Sequence, residues 1–176
     1  MRRLFYGESY RSFSGPLHLA AFSIILLALL PTLVMAQWAQ LNGDIDGEAF
    51  LDQSGWAVAL SDDGDRVAIG APTNDGNGSG SGHVRVYDWN GTSWVQAGAD
   101  IDGEAADDNS GNSIALSSDG LRLAVGAKAN DGNGSFSGHA RVFGWNGSNW
   151  TQVGADIDGE VAGDSSGESV ALSADG

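Results

Sequence analysis

The sequence predicts an all-β protein built from tandem repeats of 56 residues. The pentapeptide Asp-Ile-Asp-Gly-Glu begins at residues 44, 100 and 156, so one pattern returns at a constant step. Within each repeat, large apolar residues alternate with small ones, which is the periodicity of β-strands. Gly, Asp, Asn and Ser fill the connections, and all four favour turns. Together these observations predict short antiparallel strands and no helix after residue 36.

The repeats are closely similar to one another. Residues 44–99 align with residues 100–155 without a gap and share 36 of 56 positions. Exchanges at the predicted core positions keep apolar volume, as where Val58 is replaced by Ile114. A third, partial repeat begins at residue 156, which gives about 2.5 units. Repeated sheets of this kind can close into a ring called a β-propeller, which contains about four to eight such units, or blades. We therefore expect the chain to be a fragment of a longer propeller.

Each complete repeat predicts four strands arranged as two hairpins. Ser61 to Gly64 supplies the turn of the first hairpin, and Asn90-Gly91 supplies the turn of the second. In the first repeat the strands cover residues 56–60, 66–70, 83–87 and 94–96. Four antiparallel strands per unit predict the blade of a β-propeller, and an open β-solenoid is the alternative. Small residues such as Ala57 and Gly70 between the large ones favour the propeller, whose sheets are covered on both faces.

Residues 1–36 predict a targeting segment. Basic residues precede an apolar run over residues 17–30, and Pro31 stands shortly before Val34-Met35-Ala36. This order is typical of a cleaved signal peptide. A signal anchor helix is the alternative, because the apolar stretch approaches the roughly 20 residues that span a bilayer. Either way the basic flank stays in the cytoplasm, so residues 37–176 are expected to be secreted or exposed at the cell surface.

The charge of residues 37–176 restricts the partners. This part contains 22 acidic and 5 basic side chains. Such a negative net charge argues against nucleic acid and anionic membrane surfaces as binding partners. The chain would then contact a membrane only through an uncleaved N-terminal segment. The chain has no cysteine, so its stability has to come from burial and strand pairing.

Two segments of each repeat resemble the FG-GAP repeats of integrin alpha chains. The segments similar to the strand-one FG motif are residues 54–60, 110–116 and 166–172, and those similar to the GAP motif are residues 67–72 and 123–128. The resemblance implies a β-propeller. Ser54 and its counterparts stand where the family has Phe, and Lys128 replaces the proline found at Pro72.

The resemblance also implies calcium loops of Asp-x-Asp-x-Asp-Gly type between strands one and two. The corresponding turns, 61–65 and 117–120, are too short and too poor in carboxylates, so we do not transfer that site. The Asp-x-Asp-Gly-Glu segments instead place three carboxylates within five residues, a spacing that fits Ca²⁺. The candidate ligands are Asp44, Asp46, Glu48, Asp100, Asp102, Glu104, Asp156, Asp158 and Glu160. The alternative is a solvated turn whose Asp side chains cap their own backbone.

Other chemically active residues recur rather than standing alone. His83 and His139 occupy equivalent positions, which predicts a structural role, since a catalytic histidine is not expected in every unit. No Gly-x-Ser-x-Gly motif is present, and no catalytic residue is predicted. Three tryptophans also recur, and they are expected to take part in blade packing, with a sugar-binding platform as the alternative: Trp38, Trp94 and Trp150.

These patterns favour an exported, non-catalytic module that binds an extracellular protein or glycan and serves adhesion. Duplicated surfaces suit multivalent contact. The alternatives are a structural envelope protein, or a fragment of a propeller enzyme whose active site lies in other blades. Phe136 replaces Gly80 in a glycine-rich loop with little local core, so we expect its ring to be exposed and to contact a partner.

Overall fold

The computed structural model describes residues 39–176, and every regular element within them is a β-strand. The ten strands are β1 Ala57–Leu60, β2 Arg66–Ala71, β3 His83–Trp89, β4 Trp94–Gln96, β5 Ile101–Asp102, β6 Ser113–Leu116, β7 Arg122–Ala127, β8 His139–Trp145, β9 Trp150–Gln152 and β10 Ile157–Asp158. The all-β class is confirmed for this part of the chain. Within residues 39–176 no helix has the length and apolarity needed to cross a bilayer. The targeting segment predicted at residues 1–36 lies outside the described residues.

Each complete repeat forms one antiparallel sheet. The first sheet has the order β1-β2-β3-β4, and the second repeats that order with β6, β7, β8 and β9. The two predicted hairpins fix the register, with Val58 opposite Ile69 and Asp88 opposite Val95. The described residues form these two sheets and no closed ring of blades.

The fourth strand of each sheet is divided into two pieces that pair with opposite ends of the third. β4 pairs with the end of β3, and β5 pairs with its beginning. Between them the Ala97 N–H donates to the Val86 carbonyl over 2.8 Å. Each sheet therefore contains five strands rather than the predicted four. β5 was not predicted because two residues are too few to reveal an alternation.

The third repeat lacks the strand that its sequence predicts. Residues 166–172 form no strand, and Ser166 makes only an isolated bridge with Gly138. In the complete repeats this strand pairs with β2 or β7. Within residues 39–176, residues 166–172 pair with no strand of this kind.

The main core lies between the two sheets. Its buried side chains include Ala68, Val84 and Val86 from the first sheet and Leu123, Val125 and Phe143 from the second. Strand alternation turns Val67, Ile69 and Tyr87 to the opposite face of the first sheet, where they form a second apolar cluster. Both faces of a sheet are therefore apolar, as expected for sheets covered on both sides.

Small residues allow the backbones of neighbouring repeats to touch. A Cβ atom at Gly70 would overlap the carbonyl oxygen of Gly111 in the next repeat. The turns meet as well, since the Asp62 N–H donates to the Ser118 carbonyl and the Ser118 N–H donates to the Ala174 carbonyl, each over 2.9 Å. The same contact thus joins the first repeat to the second and the second to the third.

An arginine and two tryptophans make contacts between the first and second repeats. Arg66 pairs with Asp88 over 2.6 Å, and its guanidinium lies 5.0 Å from the ring centre of Trp145 in the next repeat. The Trp150 indole N–H donates to the Ala97 carbonyl over 3.1 Å. Trp94 and Trp150 pack against the two apolar clusters, as predicted, whereas Trp38 lies outside the described residues.

Two leucines that lie two positions apart test this packing. The Leu123 side chain is fully buried between the sheets, whereas Leu121 is 44% exposed. We expect Leu123→Ala to lower the free energy of unfolding by about 2–5 kcal/mol, because it leaves a cavity in the core. Leu121→Ala should change it by no more than about 0.5 kcal/mol. Urea denaturation followed by tryptophan fluorescence measures both, and equal losses would contradict the assigned core.

Candidate functional site

The Asp-x-Asp-Gly-Glu segment at residues 100–104 forms the boundary between the first and second repeats. Ile101 is buried in the core and pairs with Val84. The Gly103 N–H donates to the Gly82 carbonyl over 2.8 Å, and a Cβ atom at Gly103 would overlap the carbonyl oxygen of Ser81. Only glycine fits there, so the backbone is fixed and the flanking carboxylates are held at the repeat boundary.

The three candidate ligands of the segment at residues 44–48 have different surroundings. Asp44 accepts a hydrogen bond from the Gln40 amide over 2.7 Å. The backbone carbonyl of Asp46 accepts a hydrogen bond from Arg85 Nη2 over 2.7 Å. The Oε1 atom of Glu48 lies 3.5 Å from Arg85 Nη1. Within residues 39–176, the carboxylates of one segment do not gather into a three-ligand cluster.

Carboxylates from two successive segments instead converge on a histidine. Glu48, His83 and Asp100 offer ligand atoms that all lie within 4.8 Å of one another. Nδ1 of His83 is 3.8 Å from Glu48 Oε2 and 4.0 Å from Asp100 Oδ2. The His83 side chain is 2% exposed, while those of Glu48 and Asp100 are 44% and 30% exposed. We call this group the first boundary cluster.

A similar cluster recurs one repeat later, although the second carboxylate within 4.0 Å of its histidine nitrogen comes from Asp158 rather than from Asp156. Glu104, His139 and Asp156 form the second boundary cluster, again with ligand atoms within 4.8 Å. Nδ1 of His139 is 3.9 Å from Glu104 Oε2 and 4.0 Å from Asp158 Oδ1. Glu160, from the third segment, is exposed and belongs to neither cluster.

A buried arginine supports the glutamate of each cluster. Arg141 matches Arg85, with Nη1 3.6 Å from Glu104 Oε1 and Nη2 donating to the Asp102 carbonyl over 2.7 Å. Its guanidinium carbon lies 5.4 Å from the ring centre of Phe143. These arginines were not among the predicted site residues. The signal was available in the sequence, because His-x-Arg places both side chains on one face of a strand and occurs at the same position in both repeats.

The comparison with protein families identifies the repeat that carries the first cluster. Residues 38–87 match the FG-GAP repeat. The resemblance predicted from residues 54–60 and 67–72 is thereby confirmed for this segment. A search of curated proteins found no match. The FG-GAP match includes Glu48, His83 and Arg85, whereas Asp100 and Phe136 follow it.

Each complete repeat also contains a buried aspartate that the sequence reasoning missed. In the FG-GAP segment, Asp52 accepts hydrogen bonds through Oδ2 from the Ala49 N–H over 3.0 Å and from the Asn74 amide over 2.9 Å. Asp108 makes the equivalent bonds in the second repeat. This carboxylate joins the start of a repeat to the loop between strands two and three, so its role is structural. Its recurrence at residues 52, 108 and 164 was the available signal.

The turn between strands one and two is stabilised by hydrogen bonds to the carboxylate of Asp63. The Ser61 hydroxyl donates to Asp63 Oδ1 over 2.6 Å, and the Asp65 N–H donates to the same oxygen over 3.0 Å. These hydrogen bonds lower the pKa of Asp63 from its ordinary value of 3.8. Ser117 and Leu121 act in the same way on Asp119. The turn is thus a local hydrogen-bonded unit.

The loop between strands two and three of the first repeat borders a surface groove that residues of the second repeat also line. The groove has a volume of about 460 Å³, and its lining includes Phe50, Leu51, Asp75, Ser79 and Asp107. Phe50 and Leu51 are largely exposed. In the second repeat, Phe136 is 58% exposed and has a φ of 55°, matching the 62° of Gly80 in the first.

The paired turns allow a titration with an internal control. We expect Ser61→Ala to raise the pKa of Asp63 toward 3.8, because its largest stabilising hydrogen bond is lost. Asp119 should keep its lowered pKa in the same variant, since Ser117 is intact. A lowered pKa means that the folded turn is favoured above pH 3.8 and loses this preference as the pH falls through the folded value. Carboxyl NMR titration measures both groups, and an unchanged Asp63 would contradict the assignment.

Proposed function

We propose that the chain is an exported, non-catalytic binding module of β-propeller type, which attaches to an extracellular protein or glycan and serves adhesion. The observation that carries the proposal is duplication. Both boundary clusters, both supporting arginines and both buried aspartates occur at equivalent positions of the two complete repeats. Catalysis needs a unique set of groups around one reacting bond, whereas repeated surfaces suit multivalent attachment.

Sheet stacking supports the propeller. In the second repeat, Ile114 and Leu116 pack against the core shared with the first sheet. Their counterparts in the first repeat, Val58 and Leu60, are more than half exposed, as is the neighbouring Trp56. A propeller covers such a face with another blade, because both faces of every blade are packed between neighbours.

The groove beside the loop of residues 73–81 supports binding. Phe50 is 91% exposed at its edge, and Asp75 and Asp107 add carboxylates that can accept hydrogen bonds from sugar hydroxyls or pair with basic side chains. An apolar surface with a few polar groups is a common feature of ligand sites.

Phe136 supports a contact in the second repeat. A bulky residue in the left-handed region costs roughly 1–2 kcal/mol relative to glycine, and an exposed ring recovers little of this by packing. Strained residues of this kind concentrate at functional sites. These features support the proposal that the ring serves as an anchor for a partner.

Export rests on the basic and apolar pattern of residues 1–36. The negative balance of the remaining chain favours basic proteins and cations over nucleic acid. Ca²⁺ binding within a single Asp-x-Asp-Gly-Glu segment stays a prediction from the carboxylate spacing alone, since the carboxylates of one segment do not gather into a three-ligand cluster within residues 39–176.

Phe136→Gly tests the proposal without weakening the fold. Glycine relieves the left-handed backbone at φ 55°, so the variant should be at least as stable as the parent. We expect it to lose most of the binding to a glycan array or to extracellular proteins displayed on a surface. Leu121→Ala, which removes an exposed apolar side chain elsewhere, should bind like the parent.

The possible results separate the alternatives. Equal binding by the parent and by Phe136→Gly would remove this loop from the binding surface. Failure to capture any ligand would favour a structural envelope protein, and turnover of a glycan or peptide by the purified chain would overturn the non-catalytic proposal.

A further inference from the structure

We propose that the two boundary clusters are binding sites for a divalent transition-metal ion of the zinc type. The ligands are Glu48, His83 and Asp100 in the first site and Glu104, His139 and Asp156 in the second. This proposal is independent of adhesion. It also differs from calcium binding within a single Asp-x-Asp-Gly-Glu segment, because each site draws on two successive segments and a histidine.

The buried histidines point to a ligand. Nδ1 of His83 faces two carboxylate oxygens at 3.8 and 4.0 Å, and Nδ1 of His139 faces two at 3.9 and 4.0 Å. Hydrogen bonds between such atoms are about 2.7–3.2 Å long, so none of these contacts is one. An imidazole almost fully removed from water is thus aimed into a gap between carboxylates.

Each carboxylate of the first site is contacted by a neighbouring side chain through the oxygen that does not face His83. Arg85 lies beside Oε1 of Glu48, and Oε2 of the same group faces His83. The Gln96 amide donates to Oδ1 of Asp100 over 2.6 Å, and Oδ2 faces His83. Each carboxylate therefore has one oxygen fixed by a neighbour and the other turned toward the imidazole. Support of this kind is typical of metal ligands, whose outer partners orient them.

The second site repeats this support. Arg141 lies 3.6 Å from Glu104 Oε1, and the Gln152 amide donates to Asp156 Oδ1 over 2.6 Å. Asp158 adds a further oxygen 4.0 Å from His139 Nδ1.

The ligand chemistry selects the ion. One imidazole nitrogen and two carboxylate oxygens form a three-ligand set of the kind that binds Zn²⁺ with one position left for water. Ca²⁺ takes oxygen ligands almost exclusively and gains nothing from a buried imidazole. Ligands of a tetrahedral zinc ion lie about 3.4 Å apart, given bonds of about 2.0–2.2 Å. The ligand atoms of each cluster lie within 4.8 Å of one another, so side-chain shifts of about 1 Å would bring them to zinc distances, and Glu48 is free to move because its side chain is half-exposed.

Metal binding would join successive repeats. Glu48 and Asp100 belong to the segments that open the first and second repeats, and His83 lies on the strand between them. An ion bound to all three fixes both segments to one sheet, so it should stabilise the folded chain.

Titration of the full chain with ZnCl₂, after removal of metal with chelator, tests the proposal. We expect two zinc ions per chain and a rise in melting temperature that chelator reverses. His83→Gln and His139→Gln should each bind one ion, and the double variant should bind none at these sites. Each single variant is the matched control for the other, because the second site remains intact. Co²⁺ in place of Zn²⁺ should give the visible absorption of a tetrahedral site with nitrogen and oxygen ligands.

Two further variants keep the test valid if a histidine variant fails to fold. Gln96→Ala and Gln152→Ala remove only a supporting hydrogen bond, and each should weaken zinc binding at its own site about 10-fold or more. Asp62→Asn, outside both clusters, should leave zinc binding unchanged. The proposal is overturned if zinc binds equally well to the double histidine variant or if calcium competes with zinc at equal concentration. It is also overturned if the titration with zinc gives no heat of binding and zinc leaves the melting temperature unchanged.

Discussion

The close stacking of one sheet on the next is the constraint on which the structure depends. Gly70 and Gly111 bring the backbones of successive repeats into contact, and the side chains of both sheets fill the space that remains. A sheet covered on both faces cannot carry a solvated polar face, so large apolar residues alternate with alanine and glycine rather than with charged residues. Most of the carboxylates are displaced to the edges, turns and loops.

This displacement explains where the polar chemistry of the molecule lies. His83 and Arg85 lie on a strand face that would otherwise be apolar. The carboxylates beside them come from two successive segments, and the second segment is held by the buried Ile101 and by Gly103. Buried charged groups require partners, and the repeat boundary is where carboxylates from the adjoining segments can reach them. The polar clusters are therefore a product of the stacking as well as a potential site.

The sequence predicted local features better than contacts between repeats. The hairpins, the turns and the packing of Trp94 followed from periodicity and turn chemistry, which act over a few residues. β5 and the convergence of Glu48 with Asp100 were not predicted. The first is too short to show a pattern, and the second joins residues that are distant in the chain and adjacent only because the strands pair. The missing strand at residues 166–172 shows the same dependence, since a strand motif requires a neighbour to pair with.

The contacts between repeats have a consequence for how such chains change over evolution. The turn of residue 62 bonds to residue 118, and the turn of residue 118 bonds to residue 174, so each step spans one complete repeat. Because the turns at residues 62 and 118 make the same backbone contact with the following unit, inserting or deleting a whole unit of this kind by unequal recombination would preserve the interface on both sides. Repeat number can therefore drift while the joints between units stay the same, whereas an insertion of any other length would have to be absorbed in a loop.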